Sequence, residues 1–256
     1  MFSMYLNIGF AAYFLAMVFY TAGLFFRNRV LPALARGAMI VGIFSLTIYL
    51  VIRWIAAQQP PLSNMFESLV LFSSAIGVVF IFVDLKYKTK SISVLVVLIS
   101  LVALGYAGLF DKDITPLLPA LKSNWLTIHV LTCFIGYAAF TVAFVSSLVY
   151  LIERCGNMML EEISYKMIAF GFLFLTLGII SGAVWANVTW GSYWNWDPKE
   201  TWSLITWFVY AIYLHLRLRK SWQGGGTAWI SIVGFSAMLF TYFGVNYFMS
   251  GLHSYL

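Results

Sequence analysis

Residues 124–152 read NWLTIHVLTCFIGYAAFTVAFVSSLVYLI, 29 positions in a row without a lysine, arginine, aspartate or glutamate. At 1.5 Å per residue such a helix more than covers the ~30 Å hydrocarbon core of a bilayer, so it must tilt or protrude on crossing one. Seven more nearly uncharged apolar runs flank it: Phe2 to Phe26, Gly37 to Ile55, Glu67 to Val83, Ser91 to Phe110, Met167 to Ala186, Glu200 to Leu216 and Ala228 to Ser250. The whole chain of 256 residues is 62% hydrophobic and 9% charged, with a mean hydropathy of +0.90. A soluble domain of that length cannot bury so much apolar surface. Strands of a membrane barrel alternate apolar and polar side chains over about ten residues, and none of these runs does. The pattern predicts an all-α, polytopic integral membrane protein of about eight transmembrane helices, forming a single domain over residues 1–256.

Basic residues near span ends collect on the cytoplasmic side. Of the fifteen lysines and arginines, eleven fall in odd-numbered connections: Arg27, Arg29, Arg36, Lys86, Lys88, Lys90, Arg154, Lys166, Arg217, Arg219 and Lys220. Arg53, Lys112, Lys122 and Lys199 make up the other four. This distribution predicts N-out and C-out topology. It also accounts for the formal charge of +6 through topological anchors in contact with membrane lipid, with no nucleic-acid partner required. Cys133 lies within a span and Cys155 in a connection, too different in depth to pair. No CxxCH occurs.

The sixth connection, residues 187–199, is predicted to lie outside. Trp185, Trp190, Trp194, Trp196, Trp202 and Trp207 crowd in and around it, six of the ten tryptophans. Indoles favour the headgroup level, so one reading is an interfacial belt. A belt spreads around a protein, however, whereas these rings share one connection, which suits a platform for a large planar apolar ligand. Asp197, Pro198 and Glu200 have the spacing of a capping box at a helix start, which would fix the height of that platform.

His129 and His253 fall near the same predicted outer face. Each alone suits an interfacial, hydrated imidazole, but beside the aromatic connection the pair also suits axial ligation of haem iron. His215 lies 15 residues past Glu200, about 22 Å along a helix. It is either an inner-leaflet residue with a snorkelling tip or an intramembrane functional group. Of the outer polar residues Arg53, Asn64, Glu67, Lys112, Lys122 and Lys199, most read as solvated loop charges. Lys199 is best placed to meet a carboxylate. Gly178 and Gly182, in GxxxG spacing, predict close helix packing.

Residues 190–217, WGSYWNWDPKETWSLITWFVYAIYLHLR, closely resemble the tryptophan-rich WWD signature of the haem-handling membrane proteins of cytochrome c maturation. The PKETW continuation, the YLHLR ending, SNMFESLVLFSS from Ser63, NWLTIHV and the terminal GLHSY are similar to the CcsA (ResC) branch, the system II type, from about Pro60 onward. The first 60 residues carry no motif of that kind. The resemblance implies a protein that moves haem b across the membrane with a CcsB (ResB) type partner, holding it non-covalently in transit. Haem is then attached to the CxxCH of an apocytochrome c on the periplasmic or lumenal side, as part of a holocytochrome c synthase. By position it implies His129 and His253 as external iron ligands, and His215 as an intramembrane ligand shared with the partner. It also implies Trp185, Trp190, Gly191, Tyr193, Trp194, Trp196, Asp197, Lys199 and Trp202 around the haem. The membrane would be the bacterial cytoplasmic membrane, or the thylakoid of a plastid. Two other functions fit parts of the pattern: a haem b anchor subunit of a quinone-linked redox complex, and a transporter of another amphipathic solute.

Overall fold

A computed structural model of the chain describes residues 2–26, 28, 30–62, 64–114, 121–219 and 222–249. Every predicted apolar run forms a helix over most of its described residues, the Ser91 to Phe110 run only from Ser93 to Ala107, and no strand occurs among the described residues. The chain is an all-helical polytopic membrane protein. It divides into two compact units, Met1–Lys122 and Ser123–Leu256.

The first unit contains α1 (Phe2–Phe25), α2 (Val30–Ala57), α3 (Met65–Tyr87) and α4 (Ser93–Ala107). The second contains α5 (Asn124–Ile152), α6 (Met158–Trp190), α7 (Pro198–Arg217), α8 (Gly225–Leu239), a π-helical turn (Phe240–Gly244) and α9 (Val245–Phe248). Among the described residues, six helices are long and apolar enough to span a bilayer: α1, α2, α3, α5, α6 and the continuous stretch Gly225–Phe248. The other two fall short of the eight expected spans for separate reasons. α4 has 15 residues, about 22 Å of helix. α7 has 20 but bears Glu200 in its first turn and His215 and Arg217 in its last. Helices α2 and α6 start well before the apolar runs at Gly37 and Met167, because backbone hydrogen bonding continues through charged residues wherever their side chains find water or a partner.

In the first unit, up-and-down connectivity gathers polar groups at both ends. At one end Arg53 and Glu67 form an ion pair with side chains only 5% and 3% exposed. The Arg53 guanidinium lies over the Phe66 ring and donates to the carbonyls of Lys112 at 2.6 Å and Asp113 at 3.1 Å. The expectation of solvated loop charges is therefore wrong for these two residues: each is buried because the other neutralises it. Asn64 caps α3 by accepting the Glu67 N–H, which fixes the carboxylate at the helix start. At the other end Asp84 sits 3.6 Å from Arg36 Nε and accepts the Tyr20 hydroxyl at 3.1 Å.

In the second unit, α5 and α6 form the closest pairing. Phe140 of α5 stacks on Tyr210 of α7 at 3.7 Å, and Phe144 on Phe235 of α8 at 4.2 Å. Glu161, near the start of α6, accepts the Gly224 N–H at 2.9 Å and lies 3.5 Å from Arg217, joining the ends of three helices. Cys133 and Cys155 are both free thiols, as their depths predicted.

Candidate functional site

The site begins with how α5 enters the fold. Ser123 caps the helix by accepting the Trp125 N–H at 3.2 Å. One turn further on, His129 meets α6, with Nδ1 2.7 Å from the Gly178 carbonyl oxygen. A carbonyl only accepts, so Nδ1 carries the hydrogen and the neutral ring keeps its lone pair on Nε2. Protein imidazoles that ligate metals are commonly held in this way, the far nitrogen donating to a backbone carbonyl and so fixing tautomer and ring orientation. The ring also runs nearly parallel to buried Trp185, 14° between planes and 6.4 Å between centroids. Trp185 in turn contacts Trp190 at 4.7 Å.

The predicted GxxxG contact exists, and its purpose is visible here. A Cβ at Gly182 would lie 2.6 Å from His129 Nδ1, and one at Gly178 would lie 2.5 Å from Cys133 Sγ. Substituting Gly182 by alanine should therefore push the imidazole off the Gly178 carbonyl. For a protein of the kind the sequence resembles, haem attachment to a client cytochrome should then fall about 100-fold, as for an ångström-scale misplacement of a reacting group, with helical content and melting temperature nearly unchanged. Gly105→Ala, where an added Cβ meets nothing within 4 Å, is the control. Equal yields from the two variants would show that His129 need not be held.

The tryptophan-rich connection is shorter than the expected 187–199. Helix α6 continues through Trp190 and stops at Gly191, whose φ of 77° allows its N–H to reach the Asn187 carbonyl. Pro198 then opens α7, so only residues 191–197 are irregular. Trp185 and Trp190 are helical for this reason. The capping box holds: Asp197 accepts the Lys199 N–H at 3.0 Å. Glu200 does more than cap. Its Oε2 accepts both the Asn195 N–H at 2.7 Å and the Asp197 N–H at 3.2 Å, clamping the backbone on either side of Trp196. Trp196 has φ 57°, a strained value for a bulky residue, and is 69% exposed. One buried carboxylate thus holds an indole outward. Trp196 packs edge-on to Trp194 at 5.8 Å. The buried Trp194 Nε1 has no hydrogen-bond partner among the described residues. Tyr193 is exposed, with no ring contact among those residues. Lys199 lies ahead of the apolar stretch of α7; burial pushes its ammonium pKa down to about 8, against the opposing pull of Asp197.

A further aromatic group was not anticipated from the sequence. Trp202 packs on Phe240 at 4.2 Å, and Phe240 lies parallel to the exposed Phe248 at 6.5 Å. Tyr242 contacts Phe134 of α5 at 5.5 Å. Phe240 and Tyr242 lie in the π-helical turn, a feature often found at functional sites. The signal was present in FTYFGVNYF, residues 240–248, with five aromatic residues in nine. Trp207 donates to Thr176 at 2.9 Å and serves helix packing.

His129, Trp185 and Trp190 form one cluster, Trp194 and Trp196 a second, and Trp202 with Phe240 and Phe248 a third. His215, in the last turn of α7, is exposed on the helix surface and its side chain makes no hydrogen bond among the described residues. His253 lies outside the described residues. No group of three or more His, Cys, Asp or Glu side chains able to hold a bare metal ion occurs among those residues.

The profile of the cytochrome C assembly protein family matches residues 62–253. Among curated relatives, the cytochrome c biogenesis protein CcsA of Guillardia theta is 37% identical, over 97% of this chain and 94% of its own length. That of Chlamydomonas reinhardtii is 41% identical over 87% of this chain and 68% of its length, and that of Gloeobacter violaceus 34% over 97% and 94%. The chain belongs to the cytochrome c assembly family, in its CcsA branch. The likeness reaches into the N-terminal helices, beyond the Pro60 limit of the recognisable motifs. Among solved structures, the cytochrome c haem lyase CcmF superposes with a TM-score of 0.71 at 16% identity, over 94% of this chain and 46% of that one, a likeness of fold. Membership of this family gives the chain a role in cytochrome c biogenesis within a membrane.

Proposed function

We propose that this chain binds haem b as a substrate in transit and, with a CcsB (ResB) type membrane partner, presents it at the outer face for attachment to the CxxCH of an apocytochrome c. The observation that carries this reading is His129: its Nδ1–H is committed to the Gly178 carbonyl, its lone pair lies on Nε2, and its ring lies along Trp185. His253 is proposed as the opposite axial ligand. The indoles of Trp190, Trp194 and Trp196, with Tyr193, supply flat apolar contact, while Gly191 and Asp197 set the turn that carries them. The Trp194 N–H, which has no hydrogen-bond partner among the described residues, suits a carboxylate of the porphyrin edge, as does the positive charge of Lys199.

The chemistry asks little of acid or base groups. Each client thiol adds its S–H across a haem vinyl group, sulfur to one carbon and hydrogen to the other, with no net electron loss. The task of the protein is to hold the reacting groups at bonding distance. His215 has the complementary role of an intramembrane ligand shared with the partner. An exposed imidazole on a helix within lipid is costly unless something meets it, and α7 turns it outward.

The test is co-expression of the chain, its partner and an apocytochrome in cells lacking their own maturation pathway. The client should stain for covalent haem only when all three are present. His215→Ala should lower the haem that co-purifies with the complex. An unstained client from the complete set, or a colourless preparation, would refute the reading, and unchanged haem content in His215→Ala would remove that residue alone.

A further inference from the structure

The first unit contains a cavity of about 570 Å³ at the end opposite the Arg53–Glu67 pair, between the inner turns of α1, α2 and α3 and the start of α4. Its walls carry three cations, Arg36, Lys88 and Lys90, against one carboxylate, Asp84. Asp84 is already engaged by Arg36 and by the Tyr20 hydroxyl. The Arg36 Nε donates to the Pro32 carbonyl at 3.2 Å, and its two terminal amino groups have no hydrogen bond among the described residues. Lys90 donates to the Gly23 carbonyl at 3.4 Å. Lys88 ends α3 with φ 50°, its N–H bonded to the Asp84 carbonyl, and this turn sends the next residue inward. That residue, Thr89, is 3% exposed and lines the cavity, yet its hydroxyl has no hydrogen-bond partner among the described residues. A buried hydroxyl without a partner is costly and marks a place where an acceptor belongs.

We infer that this cavity is a binding site for a phosphate group, with Thr89 donating its hydroxyl and Arg36, Lys88 and Lys90 supplying positive charge. The surroundings favour the headgroup of an acidic phospholipid as the source. In the same helical turns Leu24, Phe25, Phe82 and Leu85 are exposed, so a molecule bringing its phosphate into the cavity can lay its acyl chains on apolar surface beside it. The lysine and arginine distribution assigns this end to the leaflet where acidic lipids and basic side chains meet. The site is independent of the haem ligands, which lie in the other unit.

The purified full chain, titrated in detergent with short-chain phosphatidylglycerol, phosphatidylcholine and inorganic phosphate, tests it. Phosphatidylglycerol should bind saturably and more tightly than phosphatidylcholine. The exposed pair Lys88→Gln and Lys90→Gln together should weaken it about 30-fold, the contribution of two surface cations near an anionic headgroup. Thr89→Val should weaken it by itself, with melting temperature in the absence of lipid maintained. If inorganic phosphate binds as tightly, with the same sensitivity to both variants, the anion site stands and its ligand is a soluble phosphate. Equal binding of the two lipids, or affinity unchanged in both variants, would overturn the assignment.

Discussion

A chain carrying His129→Ala should yield no covalently haem-stained cytochrome above background when co-expressed with its partner and client, and should purify with less bound haem. The expectation rests on one nitrogen. His129 Nδ1 is occupied by the Gly178 carbonyl, so only Nε2 can face an iron, and a methyl group in its place offers no donor. The ring is half-buried near the start of a 29-residue helix, and losing it leaves the α5–α6 pairing intact, so the variant should accumulate normally. Added imidazole should restore part of the yield by occupying the vacated space, which a mere packing defect would not permit. His253→Ala should give the same phenotype. Normal holocytochrome from both variants would end the ligand assignment, whatever their effect on stability.

The second large effect concerns stability. Glu67→Ala leaves the Arg53 guanidinium, 5% exposed, without its counter-charge. Breaking one partner of a buried pair costs about 3–5 kcal/mol, which for a unit of this size corresponds to a fall of roughly 12–20 °C in melting temperature. Replacing both residues, as Arg53→Met with Glu67→Leu, should recover most of that loss, because a well-packed apolar pair removes the uncompensated charge. The Lys112 and Asp113 carbonyls that Arg53 releases belong to exposed residues, and water can replace the guanidinium there. Thermal melts of the three proteins in the same detergent decide the matter. A single variant melting within a few degrees of the parent would mean that the pair is hydrated in the membrane.

The two predictions differ in how far the linear chain revealed them. His129 could be suspected from NWLTIHV beside a tryptophan-rich connection, yet its tautomer and orientation depend on Gly178 and Gly182, 49 and 53 positions away. The capping box was legible because its residues are within three positions of one another. The clamp of Glu200 across Trp196 uses the same residues, but it requires a positive φ that no local preference of tryptophan announces. Arg53 and Glu67 looked like ordinary loop charges because nothing in either neighbourhood states that the other lies against it. The aromatic cluster in the last helix was readable as composition, although its contact with Trp202 was not.

Membrane residence, helical class and the family were already decided along the chain, because transfer of an apolar run into lipid depends on that run's own residues, and a motif is a matter of spacing. Folding decided which charges became buried partners, where α6 stops and which imidazole nitrogen keeps its lone pair. These are pairwise properties, set when helices distant in sequence come within a few ångströms and water leaves the space between them.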